Sequence, residues 1–287
     1  MDSKPLIVFV GAVYPSQYSL LCSHLRETGM ADAWFMTTPG HKAKHEAQCD
    51  HLLSFQPDGM LISTQSYYYS SKVERSARIC RGVLAALKDF ENKQGRKIDL
   101  VVAHSLWGVP NWLYGEIDAA IISYIEFPSY LAHGWDAAYP PDAAQRQSDR
   151  NTEMLHFHQV LCSDLTIVPS AHARSMFPPL LQDRIAVQFE GFDIEPATPA
   201  DRPCTASEQA FTIAFSARDL SSAKGLETYI RLVDRLVREG HGRNTRFLAI
   251  GDPTAATYGY EQQWVERKYQ GKVASFRDHL LKVYPAA

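Results

Sequence analysis

The feature that most constrains this chain is a series of short, unbroken apolar segments set apart by longer amphipathic ones. LIVFV (6–10), AWFMT (33–37), GMLIS (59–63), DLVVAH (99–104), AIISYIE (120–126), DLTIVPS (164–170) and RIAVQF (184–189) each have the length of a strand. Continuous apolar strands of this kind are buried on both faces. Between them, PSQYSLLCSHLRETG (15–29) reads as a helix, with Leu21 and Leu25 four apart and Gly29 as its stop. Residues 72–91 set Ala77, Cys80, Val83, Leu84 and Leu87 on one helical face, and another helix is expected over 144–162. Strands alternating with crossover helices predict an α/β chain whose mostly parallel sheet is covered on both sides.

The texture then changes. DIEPATPADRPCTASEQA (193–210) is rich in proline and poor in apolar residues, as a linker is. A new unit starts at FTIAFSA (211–217) and passes through SSAKGLETYIRLVDRLVREG (221–240). There Leu226, Tyr229, Ile230, Val233, Leu236 and Val237 form one stripe, and Ser221 or Ser222 serves as N-cap. The chain returns through RFLAIGDP (246–253), completing a βαβ unit. The expected organisation is an N-terminal domain over 1–195, a linker over 196–210 and a second domain over 211–287. With two strands and two helices, the second domain reads as incomplete, because a doubly wound sheet needs more strands to bury its faces. Its remainder is expected beyond residue 287.

Composition sets broader bounds. The 287 residues are 45% hydrophobic and 21% charged, enough for a large core, and the net charge of −3 offers no basic excess for nucleic acid. Five scattered cysteines without CxxC spacing suit free thiols in a reducing compartment. The start MDSKPLIVFVG lacks the parts of a signal peptide, and no apolar stretch reaches membrane-spanning length. A cytoplasmic location is expected, with peripheral contact at the inner face of a membrane left open. The oligomeric state is not legible.

Several polar residues fall where open α/β sheets bind ligands, at the carboxyl ends of strands. Arg218 follows a strand and Lys224 lies at a helix start, an arrangement suited to a phosphate. Both could equally be ordinary solvated charges. His104 ends an apolar strand, with Trp107 and Gly108 on the loop behind it, and reads either as an acid, base or donor or as a structural histidine. Glu126 ends another strand, as a site carboxylate, a salt-bridge partner or a cap. Gly11 follows the first strand and allows close approach of a ligand. Neither GxGxxG nor GxxxxGK[ST] is present. The pairs His41/His45 and His156/His158 lack the pattern of a metal site, so no metal is expected.

Taken in order, AHSLWG (103–108), YIEF (124–127), DRNTEML (149–155), VPSAHARSMFP (168–178), EGFD (190–193), ARDLSSAKGLETYIRLVDRL (217–236), FLAIGDP (247–253) and TYG (257–259) resemble segments of one family. The chain is similar to retaining glycosyltransferases of the GT-B fold, family-4 type, which use nucleotide-diphosphate sugars. The resemblance implies two Rossmann-like domains across a cleft, the second incomplete here, with the acceptor mainly on the first and the nucleotide sugar mainly on the second. It implies transfer of a hexose to a hydroxyl of a saccharide or lipid-linked acceptor, with retention and without a metal cofactor, in the setting of polysaccharide biosynthesis. Arg218 and Lys224 would hold the donor diphosphate, Gly11 would lie near its phosphates, and His104 would lie near the transferred sugar. Trp107 and Glu126 would belong to the acceptor side or the cleft. The family's paired glutamates, eight apart, would fall beyond residue 287, so weak or no transfer is expected of these residues alone. Ser105 and Leu106 replace small residues, and Val109 stands at a commonly acidic position. Two other readings stay beside this one: a non-catalytic binding relic of such an enzyme, and a nicotinamide-dependent Rossmann enzyme, against which the missing glycine fingerprint counts.

Overall fold

The computed structural model of the chain describes residues 4–61, 65–106, 108–127, 136–191, 211–253 and 259–287. Two compact units are present, Met1–Ala132 with Gln147–Asp193, and His133–Arg146 with Ile194–Ala287.

The apolar runs of the first unit form one seven-stranded sheet. Its strands are β1 (Leu6–Val10), β2 (Asp32–Thr37), β3 (Leu52–Ser54), β4 (Leu100–His104), β5 (Ala120–Tyr124), β6 (Leu165–Val168) and β7 (Ile185–Val187). They lie in the order β3-β2-β1-β4-β5-β6-β7, and every adjacent pair is parallel. The helices are α1 (Ser19–Glu27), α2 (Pro39–His45), α3 (Ser71–Gln94), α4 (Ala143–Cys162), α5 (Ala171–Ser175) and α6 (Pro179–Gln182). From β1 the chain builds outward through β2 and β3, then crosses by α3 to the other side of β1. The direction of winding therefore reverses between β1 and β4, the kind of switch point that opens a crevice at the carboxyl edge of an α/β sheet.

Both faces of β1 are buried, which is why its sequence is apolar without a break. Leu6, Val8 and Val10 pack with Ile79, Cys80, Val83, Leu87 and Phe90 of α3. Phe9 faces the other way, with Phe35, Val102 and Tyr124 and with Tyr18 and Cys22 at the start of α1. A further cluster of Ile125, Val160, Val168, Phe177 and Ile185 closes the β6–β7 side.

Two local expectations need correction, and one element was not foreseen. The third strand is Leu52–Ser54, not 59–63: Asp58 and Gly59 form a bend, with Gly59 at φ 78°, and residues 62–64 lie outside the described residues. The first helix begins at Ser19, not Pro15. The polar stretch at 39–45 is the short helix α2, which buries none of its residues and so carries no apolar stripe to announce it.

The second unit pairs β8 (Phe211–Asp219) with β9 (Thr245–Asp252) in parallel. The crossover helix is α7 (Leu226–Arg238), followed by α8 (Glu261–Tyr269) and α9 (Phe276–Val283). This is one helix more than the sequence suggested. Leu226, Tyr229, Ile230, Val233, Val265, Phe276 and Leu280 form its core. Tyr139 belongs to this core too, edge-on to Trp264 and Phe276 at 4.9 Å each, and Arg267 donates to the Pro140 carbonyl at 2.9 Å. Those contacts assign residues 136–146 to the second unit, where the sequence placed them in the first. The expected linker at 196–210 lies outside the described residues. The architecture is α/β and Rossmann-like.

Candidate functional site

In the first unit, register brings the site residues together. Val10 pairs with Ala103, and His104 pairs with Tyr124. Gly11, His104 and Glu126 therefore stand side by side at the carboxyl ends of β1, β4 and β5, beside the switch point. Trp107 lies outside the described residues.

His104 is 2% exposed. Its Nδ1 accepts the Leu106 backbone N–H at 3.2 Å, which puts the ring proton on Nε2. Nε2 in turn faces Glu126 Oε2 at 3.5 Å. The ring thus points Nε2 at a carboxylate whose side chain is 47% exposed. Gln17 Nε2 approaches the same oxygen at 3.4 Å. Tyr124 stacks edge-on against His104 at 5.7 Å and donates its hydroxyl to Glu190. Burial, followed by that carboxylate, holds the Tyr124 phenol well above its ordinary range.

Residues 108 and 109 are tied back to the end of β4. Gly108 and Val109 both donate to the His104 carbonyl, at 2.8 and 2.9 Å. A Cβ on Gly108 would lie 2.9 Å from the Val10 carbonyl oxygen and 3.1 Å from the His104 nitrogen, so only glycine lets the loop sit this close to the strand ends. Val109 is buried at φ 38°, an unfavourable conformation for a β-branched residue. From α4, Gln159 Nε2 donates to the Ser105 carbonyl at 3.3 Å and to Asn111 Oδ1 at 2.8 Å. Gly11 differs from Gly108: a Cβ there would meet nothing closer than Phe35 at 3.5 Å.

An apolar groove of about 460 Å³ runs along the same unit, with Ile7, Phe9, Leu100, Val102 and Ile122 of the sheet on its floor and Leu21 of α1 on its wall. Gln17, Tyr124 and Glu190 also line it.

In the second unit, Arg218 is the penultimate residue of β8 and does not follow it. Its side chain is 61% exposed, with Nε 3.5 Å from Asp219 Oδ2. Lys224 ends a 3₁₀ turn, Ser222–Lys224, and precedes α7 by a left-handed Gly225 at φ 89°. The expected Ser221 or Ser222 cap is therefore displaced: Gly225 caps α7, without a side-chain hydrogen bond. Both cations flank one loop at the amino end of α7, where the helix offers N–H groups and partial positive charge.

Beneath that loop lie two buried carboxylates that sequence reasoning missed. Glu261 Oε1 accepts the Ser222 N–H at 2.9 Å. Burial raises the Glu261 pKa from its ordinary value, and Asp219 adds to the rise. Asp219 is fully buried, and neither of its oxygens has a hydrogen-bond partner. Nothing local in the sequence marks either as buried. One histidine of each pair has an ordinary partner: His41 Nδ1 meets the Tyr14 carbonyl at 3.0 Å, and His158 Nδ1 meets Asn111 Nδ2 at 3.2 Å. Among the described residues, no three His, Cys, Asp or Glu side chains gather as a metal-holding group. Among them, too, no helix is long and apolar enough to cross a membrane.

Residues 30–197 match the model of the glycosyl transferase family 4 group. Among solved structures, sucrose-phosphate synthase from Thermosynechococcus elongatus superposes with a TM-score of 0.60 at 15% identity, over 99% of this chain and 68% of its own. The unliganded UGT2 of Phytolacca americana superposes with a TM-score of 0.49 at 12% identity, over 87% of this chain and 73% of its own. At such identity the first likeness speaks for the fold, which is of the GT-B type. No curated protein sequence matches the chain.

Proposed function

The chain belongs to the glycosyl transferase family 4 group, and from that premise we propose that it takes part in moving a hexose from a nucleotide-diphosphate sugar to an acceptor hydroxyl with retention at the anomeric carbon. The observation that carries this reading is the fixed His104–Glu126 pair beside Gly11 at the β1/β4 switch point. In the transfer, the C1–O bond to the diphosphate breaks and a C1–O bond to the acceptor oxygen forms on the same face. The hydroxyl proton leaves with the departing diphosphate. His104 donates Nε2–H to a hydroxyl of the transferred sugar, and Glu126 orients acceptor or sugar hydroxyls. Arg218 and Lys224 grip the diphosphate and offset the charge that grows on it, helped by the amino end of α7. Two fixed cations supply what a metal would otherwise supply, so transfer is expected to persist in a chelator. Gly11 lets donor phosphate approach the backbone.

The first unit is the acceptor side in this reading. Its apolar groove, polar where Gln17, Tyr124 and Glu190 line it, favours an acceptor with an apolar part, as a lipid-linked saccharide has. Calorimetric titration with UDP and with GDP tests the donor site. Binding that disappears in Arg218→Ala and in Lys224→Ala supports it. Binding left unchanged by both substitutions refutes it.

A further inference from the structure

A second cluster of chemistry-bearing side chains lies in the first unit, at the turn between α2 and β3. Its centre is the thiol of Cys49. Tyr14 Oη donates to Cys49 Sγ at 3.2 Å, and His51 Nε2 lies 3.3 Å from the same sulfur. His51 Nδ1 lies 3.5 Å from it and 3.2 Å from Asp50 Oδ1. Asp50 therefore occupies one ring nitrogen, and the other is left to exchange a proton with the sulfur. Arg26 Nη2 stands 3.4 Å from the same Asp50 oxygen. The His51 hydrogen bond, followed by the Arg26 charge, holds Asp50 below the usual carboxylate range, so it stays ionised beside the ring.

A nucleophilic thiol needs a base for its proton, a donor for the sulfur that remains, and access from solvent. Cys49 has all three. His51 is the base, and the Phe35 N–H fixes its backbone by donating to the His51 carbonyl at 3.0 Å. Tyr14 is the donor. Burial, followed by the Cys49 sulfur, raises its phenol well above the ordinary range, so it keeps its proton. Cys49 is partly exposed, whereas Cys22 and Cys80 are fully buried and pushed up to about 12. Cys162, partly exposed at the end of α4, has His158 Nε2 at 3.4 Å but no hydroxyl donor among the described residues.

We propose that Cys49 is a modification site, a thiol that a hydroperoxide oxidises to the sulfenic acid. The sulfur attacks the hydrogen-bearing peroxide oxygen while His51 Nε2 takes the thiol proton. An S–O bond forms and the O–O bond breaks. The sulfur loses two electrons and the peroxide gains them; the departing oxygen takes the proton from His51 and leaves as water or an alcohol. The same contacts tie the sulfur to the loop after Gly11. Thr38 Oγ1 donates to the Ala12 carbonyl at 3.1 Å, and the Tyr14 ring packs edge-on against Phe35 at 5.0 Å. An oxygen on Sγ takes the place to which the Tyr14 hydroxyl now donates, so oxidation displaces Tyr14 and the loop with it. This chemistry does not depend on the transfer reading, and its test needs neither donor nor acceptor.

The whole chain is treated with substoichiometric hydrogen peroxide beside a dimedone-type trap for sulfenic acids, and labelling is read cysteine by cysteine by peptide mass spectrometry. Cys49 is expected to label at least about tenfold faster than Cys162, with Cys22 and Cys80 unlabelled. Tyr14→Phe keeps the ring against Phe35 and removes only the hydroxyl. It should slow Cys49 labelling about tenfold, as loss of a hydrogen bond to a sulfur taking up negative charge does, and leave Cys162 unchanged. His51→Gln should slow it as well; if that variant fails to fold by circular dichroism, Tyr14→Phe decides. Labelling of Cys49 no faster than that of Cys162, or unchanged in Tyr14→Phe, overturns the proposal. Without the trap, peroxide should shift the amide NMR signals of Ala12–Tyr14 in the parent and not in Cys49→Ser, and a thiol reductant should restore them. Labelling of Cys49 without those shifts overturns the link to the loop.

Discussion

A single methyl group should act in opposite ways on the two glycines of the candidate site. At Gly108 an added Cβ would lie 2.9 Å from the Val10 carbonyl oxygen, 3.1 Å from the Ala103 Cβ and 3.1 Å from the His104 nitrogen. Two of these atoms are backbone and all belong to strand ends, so the loop must lift. Overpacking of this kind costs about 1–3 kcal/mol. Gly11 is buried too, but its nearest neighbour would be a Phe35 ring carbon at 3.5 Å, an ordinary contact, and its backbone lies outside the left-handed region. Alanine there is tolerated by the fold and should gain about 0.4–1 kcal/mol by restricting the unfolded chain. The fold does not require that glycine; the proposed approach of a donor phosphate to the backbone would. Urea denaturation of Gly11→Ala and Gly108→Ala, with UDP titration of each, separates the two roles. The expected result is a stable Gly11→Ala with weakened UDP binding and a destabilised Gly108→Ala. A Gly108→Ala as stable as the parent refutes the packing argument. A Gly11→Ala that binds UDP normally refutes the ligand argument.

Glu261 should make the second unit pH-sensitive. Because burial raises its pKa in the folded state above 4.5, its contribution is fully present below that ordinary value and is lost as pH rises through the folded value. Glu261→Gln keeps an acceptor for the Ser222 N–H and removes the charge. It should therefore gain stability relative to the parent as pH rises above about 4.5 in urea denaturation; a constant difference contradicts this. The thiols offer a simpler check. Burial pushes Cys22 and Cys80 up to about 12, so at pH 8 about one in ten thousand is ionised. Both should stay unreactive to a disulfide reagent until the chain unfolds, whereas prompt labelling of either would show that its cluster is open.

The strands were legible because a sheet buried on both faces demands continuous apolar residues, as in Leu6–Val10 and Leu100–His104. The third strand was misread because Leu52–Ser54 is only three residues long and the more apolar GMLIS sits just past a turn. Capping was misread at 221–225, where serines favoured a direct helix start and the chain instead forms a 3₁₀ turn. The edge position of His104 followed from its place at the end of an apolar run. Its partner did not, because the Glu126 contact depends on the register between β4 and β5 across twenty-two residues of sequence. The carboxylates of Asp219 and Glu261 were invisible for a related reason: burial of a charge is decided by what packs over it, which here comes from α8 and the loop before α7.

The central claim is that the loop from Arg218 to Leu226 takes a nucleotide diphosphate. Amide NMR mapping of the whole chain with UDP tests it most directly. The account predicts saturable shifts at Arg218–Leu226, abolished by Lys224→Ala. Saturable shifts confined to other parts of either unit, or none at all, would contradict it.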